Sequence, residues 1–298
     1  MPTKVLSPRV RLLRVLHAQP HRYPRLRRLT QGLTFAVLLA VPALRLARFD
    51  LWDGRHLAFG RPVGFVYGAG GVFIAILAFY TATFALNAAM GRVFCGFGCP
   101  VGQVSRLGDD VEIAERTGKQ TFGARARAAG FAIGLAIAVA LWFVSPRVFV
   151  EGSARAVGAT VLGMLALAAA AHAHGRWLRW RFCEGYCPIG VYYSAVQTDH
   201  GFGVHFDAGR GTCKECDACA LACPVALDPR DLSKPKDGAG GISIDGFPGQ
   251  NHCLTCGECV RACEHQFRRQ DPALVPLRLS FRPHPDEARS RAAPPAPG

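Results

Sequence analysis

The first thirty residues contain no acidic side chain, although they carry eight lysines and arginines. No cysteine stands alone: all twelve fall into four ordered groups, Cys95/Cys99, Cys183/Cys187, and two four-cysteine runs over 213–223 and 253–263. Beyond Pro188 there is no long apolar run, and no segment reads as a separate output domain. Each absence excludes something. A chain of 298 residues without stray cysteines is not a small secreted disulfide scaffold, and its spacing points to metal chemistry in a reducing compartment. The formal charge of +14 is not gathered into a stripe on one motif, which argues against nucleic acid as a partner. The arginines lie in the N-terminal stretch and beside hydrophobic runs, as the positive-inside rule requires.

Half of the residues are apolar. Four uncharged or nearly uncharged runs, 31–49, 63–90, 126–144 and 154–173, predict a membrane α-helical domain over 31–190. Residues 1–30 are expected as a basic cytoplasmic tail, because Ser7, Pro8, Pro20 and Pro24 disfavour a long helix. The first span reads as a retained anchor rather than a cleaved leader. Gly64/Gly68 and Gly130/Gly134 have the close-packing spacing of membrane helices. The four tryptophans, Trp52, Trp142, Trp177 and Trp180, sit at or near span ends. The N-terminal stretch, 91–127 and 176–181 hold seventeen lysines and arginines, against three in the loops 50–62 and 145–153. That asymmetry predicts a multi-pass protein of the bacterial inner membrane with both termini cytoplasmic.

The runs read C-K-E-C-D-A-C-A-L-A-C-P from Cys213 and C-L-T-C-G-E-C-V-R-A-C from Cys253, each C-x2-C-x2-C-x3-C. Three close cysteines let one loop hold three corners of a cubane, and the fourth reaches the other cluster in a two-cluster fold. A bacterial-type two-[4Fe–4S] ferredoxin module is therefore expected over 205–270. Cys213, Cys216, Cys219 and Cys263 would hold one cluster, and Cys223, Cys253, Cys256 and Cys259 the other. A pair of four-thiolate zinc sites is the alternative. The 29 residues between Cys223 and Cys253, with Asp228-Pro229, Lys234-Pro235 and a glycine-rich stretch, read as a long surface loop. Residues 271–298 read as a disordered tail. His252 and His265 flank cluster cysteines and are expected to tune rather than ligate.

The remaining cysteines form a repeat, F-C-x3-C-P-[V/I]-G, at Cys95/Cys99 and Cys183/Cys187, 88 residues apart. Each copy follows a pair of spans, so the unit is a duplicated hairpin and both motifs face the same side. Cysteines four apart on a helix share a face. Three functional readings stay open for them: a metal or third-cluster site, redox-active dithiols, or a pocket wall beside a quinone. The structural alternative is four small buried hydrophobes. His172 and His174, near the end of the last span, are candidates for quinone or haem binding or interfacial bystanders.

Spans, paired C-x3-C-P motifs and two ferredoxin runs in that order resemble the membrane polyferredoxins. The type members are the quinol-dehydrogenase membrane subunit of periplasmic nitrate reductase (NapH) and the methylamine-utilisation ferredoxin-type protein (MauN). The chain is more distantly similar to the nitrous oxide reductase regulator and the copper-handling cytochrome oxidase accessory protein. The resemblance covers roughly 25–268 and implies inner-membrane electron transfer between the quinone pool and a redox partner, a ferredoxin-type protein or cytochrome subunit. It also implies cluster ligation by the eight run cysteines. A copper-handling or thiol-reducing assembly factor for a respiratory metalloenzyme is the alternative, since soft thiolates suit Cu(I). A membrane redox sensor is weaker, lacking an output domain.

Overall fold

The computed structural model describes residues 7–195, 202–207, 213–236, 246–268 and 274–281. The chain opens with helix α1 (Pro8–Ala18) and helix α2 (Arg22–Ala43). The solvated tail expected over 1–30 is thus helical from Pro8 onward. The prolines do not break these helices, because Pro8 occupies the first helical position and Pro24 the first turn of α2, where a missing N–H is no loss. Ser7 accepts a hydrogen bond from the Val10 N–H and caps α1. Leu16, 1% exposed, packs against Ala218, Ala222 and Ala262, so α1 docks on the cysteine-rich module.

A small antiparallel sheet follows, β1 (Ala47–Arg48), β2 (His56–Ala58) and β3 (Arg61–Val63). Next come α3 (Phe65–Met90), the short α4 (Val93–Phe97), the amphipathic α5 (Pro100–Thr117) and α6 (Thr121–Phe143). The turn α7 (Val148–Glu151) leads to α8 (Ala154–Ala173), which continues as a π-helical turn, His174–Leu178. Three helices are long and apolar enough to cross a membrane among the described residues: Phe65–Met90, Thr121–Phe143 and Ala154–Leu178. Their outward side chains, such as Phe73, Ile74, Leu162 and Leu165, are exposed large hydrophobics, as lipid contact demands. The inner face of α6 is alanine (Ala124, Ala132, Ala136, Ala138), which lets neighbouring helices approach closely.

The first expected span, 31–49, is helix only to Ala43 and is not among the three helices long and apolar enough to cross a membrane. Helix α2 does run alongside α6, where the Trp142 Nε1–H donates to the Leu38 carbonyl. Its first two turns, however, carry Arg22, Arg25, Arg27 and Arg28. The uncharged remainder is 29–43, roughly 22 Å of helix against the ~30 Å hydrocarbon core. Residues 47 and 48, expected within that span, are strand.

Helices α9 (Trp180–Gly185) and α10 (Pro188–Ala195) lead into the module. Its elements are β4 (Phe202–Phe206), α11 (Ala218–Ala222), β5 (Pro235–Lys236), β6 (Phe247–Pro248), α12 (Gly249–His252), α13 (Glu258–Gln266) and β7 (Leu277–Phe281). Strands β4 and β7 pair antiparallel from Phe202↔Phe281 to Phe206↔Leu277, and α11 packs on α13. The expected tail over 271–298 is therefore strand at 277–281; residues 271–273 and 282–298 lie outside the described residues. The loop expected between the runs contains the β5–β6 pair and α12, with 237–245 outside the described residues.

The β1–β3 sheet and α7 sit at one end of the bundle, where the Phe49 N–H donates to the Trp142 carbonyl. Both C-x3-C-P motifs and the module sit at the other end, against the start of α2, the end of α3 and the π-helical turn.

Candidate functional site

The two cysteine runs adopt one backbone conformation. Glu215 and Asp217 in the first run, and Thr255 and Gly257 in the second, have left-handed φ values of 49°, 52°, 52° and 75°. These are equivalent positions between successive cysteines. Left-handed residues in such turns bring successive backbone N–H groups to face one concavity, which favours an anionic guest. Sulfur atoms are hydrogen-bonded in the same region: the Thr255 N–H donates to Cys253 Sγ at 3.4 Å, and the Leu227 N–H to Cys223 Sγ at 3.4 Å.

Cysteines of the two runs lie close to one another across the module. Burial pushes the Cys223 thiol up to about 12, with Cys256 and Cys253 adding to the effect from the other run. Burial also raises Cys259 well above its ordinary value, with Cys253, Cys256 and Cys223 as its strongest sulfur neighbours. Cys263 is raised to about 11 by burial and then by Cys219, Cys216 and Cys213. Such thiols are protonated at neutral pH, so metal ligation must displace their protons. Among the described residues no three His, Cys, Asp or Glu side chains are close enough to share one metal ion. The donor sets are thiols with backbone N–H groups directed at sulfur, which fits an anionic cluster held by four cysteines.

The C-x3-C-P pairs are arranged differently from expectation. Cys95 lies in α4, but Cys99 is the N-cap of α5, with Pro100 at its first position. Cys183 lies in α9, and Cys187 directly precedes Pro188, which begins α10. The chain turns between the cysteines of each pair, because proline starts a new helix; they do not share one helical face. The closing glycine of each motif packs on the carbonyl of its first cysteine. A Cβ at Gly102 would stand 2.9 Å from the Cys95 oxygen, and one at Gly190 would overlap the Cys183 oxygen. Cys95 and Cys183 belong to one apolar core with Trp180, Cys223, Cys253, Leu254 and Cys256. Thus the pairs are in contact with the second run and with Cys223, the last cysteine of the first.

Three buried groups join these parts. Arg92, 2% exposed, donates to the Cys183 carbonyl at 2.9 Å and reaches the Asn251 and His252 carbonyls at 3.5 Å. Arg27 donates to the carbonyls of Gly96 and Cys256, at 3.2 and 2.9 Å, and pairs with Glu258 at 2.8 Å. Glu258, 5% exposed, also faces Arg106 at 3.5 Å and Arg261 at 3.4 Å. Burial alone would raise its carboxyl, but the three arginines hold it down at about 2. Arg106 stacks over Trp180, whose Nε1–H donates to Asp109 at 2.7 Å. Sequence reasoning missed Arg27, Arg92 and Glu258. The one signal available was Arg92 directly preceding the first motif.

His172 and His174 are not brought to the cysteines. His174 Nε2 hydrogen-bonds Ser105 Oγ at 3.0 Å, and His172 lines a small cavity with Val104, Leu107 and Arg176. His265 bonds Gln19 Oε1 at 2.9 Å, and His252 is fully buried in α12.

No family model and no solved structure matches the chain. It is 26% identical over 220 residues to the nitrogen fixation protein FixG of Rhizobium meliloti, covering 61% of this chain and 38% of that protein. It is 23% identical over 254 residues to protein RdxA of Cereibacter sphaeroides, covering 74% of this chain and 50% of that protein. The chain thus spans half or less of the length of these curated relatives. The resemblance to the nitrate-reductase and methylamine-utilisation types rests on the cysteine motifs alone.

Proposed function

We propose that the protein is an inner-membrane iron–sulfur electron-transfer protein that exchanges electrons between the quinone pool and a redox protein. Cys213, Cys216, Cys219 and Cys263 hold one [4Fe–4S] cluster, and Cys223, Cys253, Cys256 and Cys259 the other. The observation that supports this reading is that Cys223 lies near Cys253 and Cys256, and Cys263 near Cys213, Cys216 and Cys219. When bound, each cluster supplies a one-electron redox couple. The left-handed turns offer backbone N–H groups to the ligand sulfurs, which favours the thiolate form. The Arg27–Glu258 pair fixes the second run against the membrane segment. Burial of Cys223, Cys256 and Cys259 excludes water from that site, whereas Cys216 of the first run is exposed. The second run is therefore the membrane-proximal site and the first run the side that meets a soluble partner. The module shares its end of the bundle with the basic segments 22–28 and 176–181, which supports a cytoplasmic location.

The test is anaerobic mixing of the detergent-solubilised protein with a quinol analogue, followed by cluster absorbance. Bleaching is expected. Protein that dithionite bleaches and no quinol analogue does would remove the quinone from the reading. The second reading, a copper-handling or thiol-reducing assembly factor, draws on the gathering of the four C-x3-C-P thiols. It predicts stoichiometric copper that is lost when all four are serine.

A further inference from the structure

We propose that Cys95, Cys99, Cys183 and Cys187 form a third iron–sulfur site, taking a cubane-type cluster at the joint between the membrane helices and the second cysteine run. This assignment rests on reading the eight run cysteines as cluster ligands, because it argues from likeness to them.

The likeness is specific. All six pairs among Cys95, Cys99, Cys183 and Cys187 lie within electrostatic reach of each other. The same holds for all six pairs of Cys223, Cys253, Cys256 and Cys259. Neither set contains a trio close enough for a single ion. Backbone donors match too. The Val101 and Gly102 N–H groups at the start of α5 point to Cys99 sulfur, as the Val225 and Leu227 N–H groups point to Cys223. The duplicated motif makes the site two-sided, each half fixed by a glycine seated on its first cysteine's carbonyl.

Charge supports the same guest. Four thiolates with their cluster carry net negative charge, which a buried site must offset. Arg92 lies between the halves, hydrogen-bonded to Cys95 and to the Cys183 carbonyl. On ligation each thiol gives its proton to solvent and its sulfur to one iron, with no change in sulfur oxidation state.

The experiment is an iron and acid-labile sulfide count on anaerobically purified full-length protein, beside a variant with Cys95, Cys99, Cys183 and Cys187 all serine. The expected result is roughly 12 irons per chain falling to about 8 in the variant, with the reduced-state EPR of the other clusters retained. About 8 irons in both proteins would overturn the third site while leaving the two-cluster reading intact. An iron-free wild type would overturn both, and one copper or zinc ion per chain lost in the variant would overturn the third site. If the variant does not accumulate, Mössbauer spectroscopy of the iron-57-labelled wild type decides between three cubanes and two.

Discussion

Gly96 rests directly on Cys256. A Cβ at residue 96 would stand 2.9 Å from the Cys256 Cα and overlap the Leu254 carbonyl oxygen. Only a residue without a side chain lets the first C-x3-C-P motif touch the loop of the second cysteine run at backbone level. Gly96→Ala is expected to force these segments apart and to destabilise the protein by about 1–3 kcal/mol, as overpacking does. Thermal unfolding in detergent checks this. Gly70→Ala is the control, because nothing lies within 4 Å of a Cβ there, and its midpoint should not fall.

The buried Glu258 gives a pH signature. Its folded pKa, about 2, lies below the ordinary 4.5. Its contribution to stability is therefore complete above about pH 4.5 and is lost as pH falls from there toward 2. Glu258→Gln should cost about 3–5 kcal/mol at neutral pH, because it leaves Arg27 and Arg261 buried without their counter-charge. It should also flatten the acid limb of stability, read by near-ultraviolet circular dichroism. An unchanged acid limb would show that the three arginines do not hold the carboxylate in the folded protein.

Arg92 should set a redox potential. It faces Cys183, Cys95 and the loop that leads into Cys253, and its positive charge favours the more negative, reduced state of a nearby centre. Arg92→Gln is expected to lower the potential of the cluster held by Cys223, Cys253, Cys256 and Cys259. Arg92→Lys, which keeps the charge, should lower it less. The cluster of the first run should stay where it is. EPR-monitored titration separates the two, and equal shifts in both would contradict the placement.

The exchanged ligand sets make a further prediction. Cys263→Ser should disturb the cluster built on Cys213, Cys216 and Cys219, although residue 263 belongs to the other run. Cys223→Ser should disturb the cluster built on Cys253, Cys256 and Cys259. EPR of each reduced variant identifies which signal changes. A loss confined to the variant's own run would refute the exchange.

The likeness of the two runs was legible in the sequence because a C-x2-C-x2-C loop sets its own geometry, and both runs adopt one backbone conformation. The Cys-Pro repeat was legible for the same reason, since a helix begins at Pro100 and at Pro188. What holds the parts together was not legible. Arg27 and Glu258 are 231 residues apart, and a buried ion pair leaves no periodicity in the chain. Pro8 and Pro24 look like breakers until each is seen to lie in the first turn of a helix. The same oversight placed Cys95 and Cys99 on one helical face, when Pro100, inside the motif, begins α5. The first span was drawn too far along the chain, because 31–49 takes in Ala47 and Arg48, which form a strand and not a helix.

The most direct measurement is the iron and acid-labile sulfide content of anaerobically purified protein together with its reduced-state EPR spectrum. Two clusters on exchanged ligand sets predict at least about eight irons and eight sulfides per chain, with the spectrum broadened by interaction between neighbouring centres. Zinc in place of iron, or protein without labile sulfide, would contradict the account.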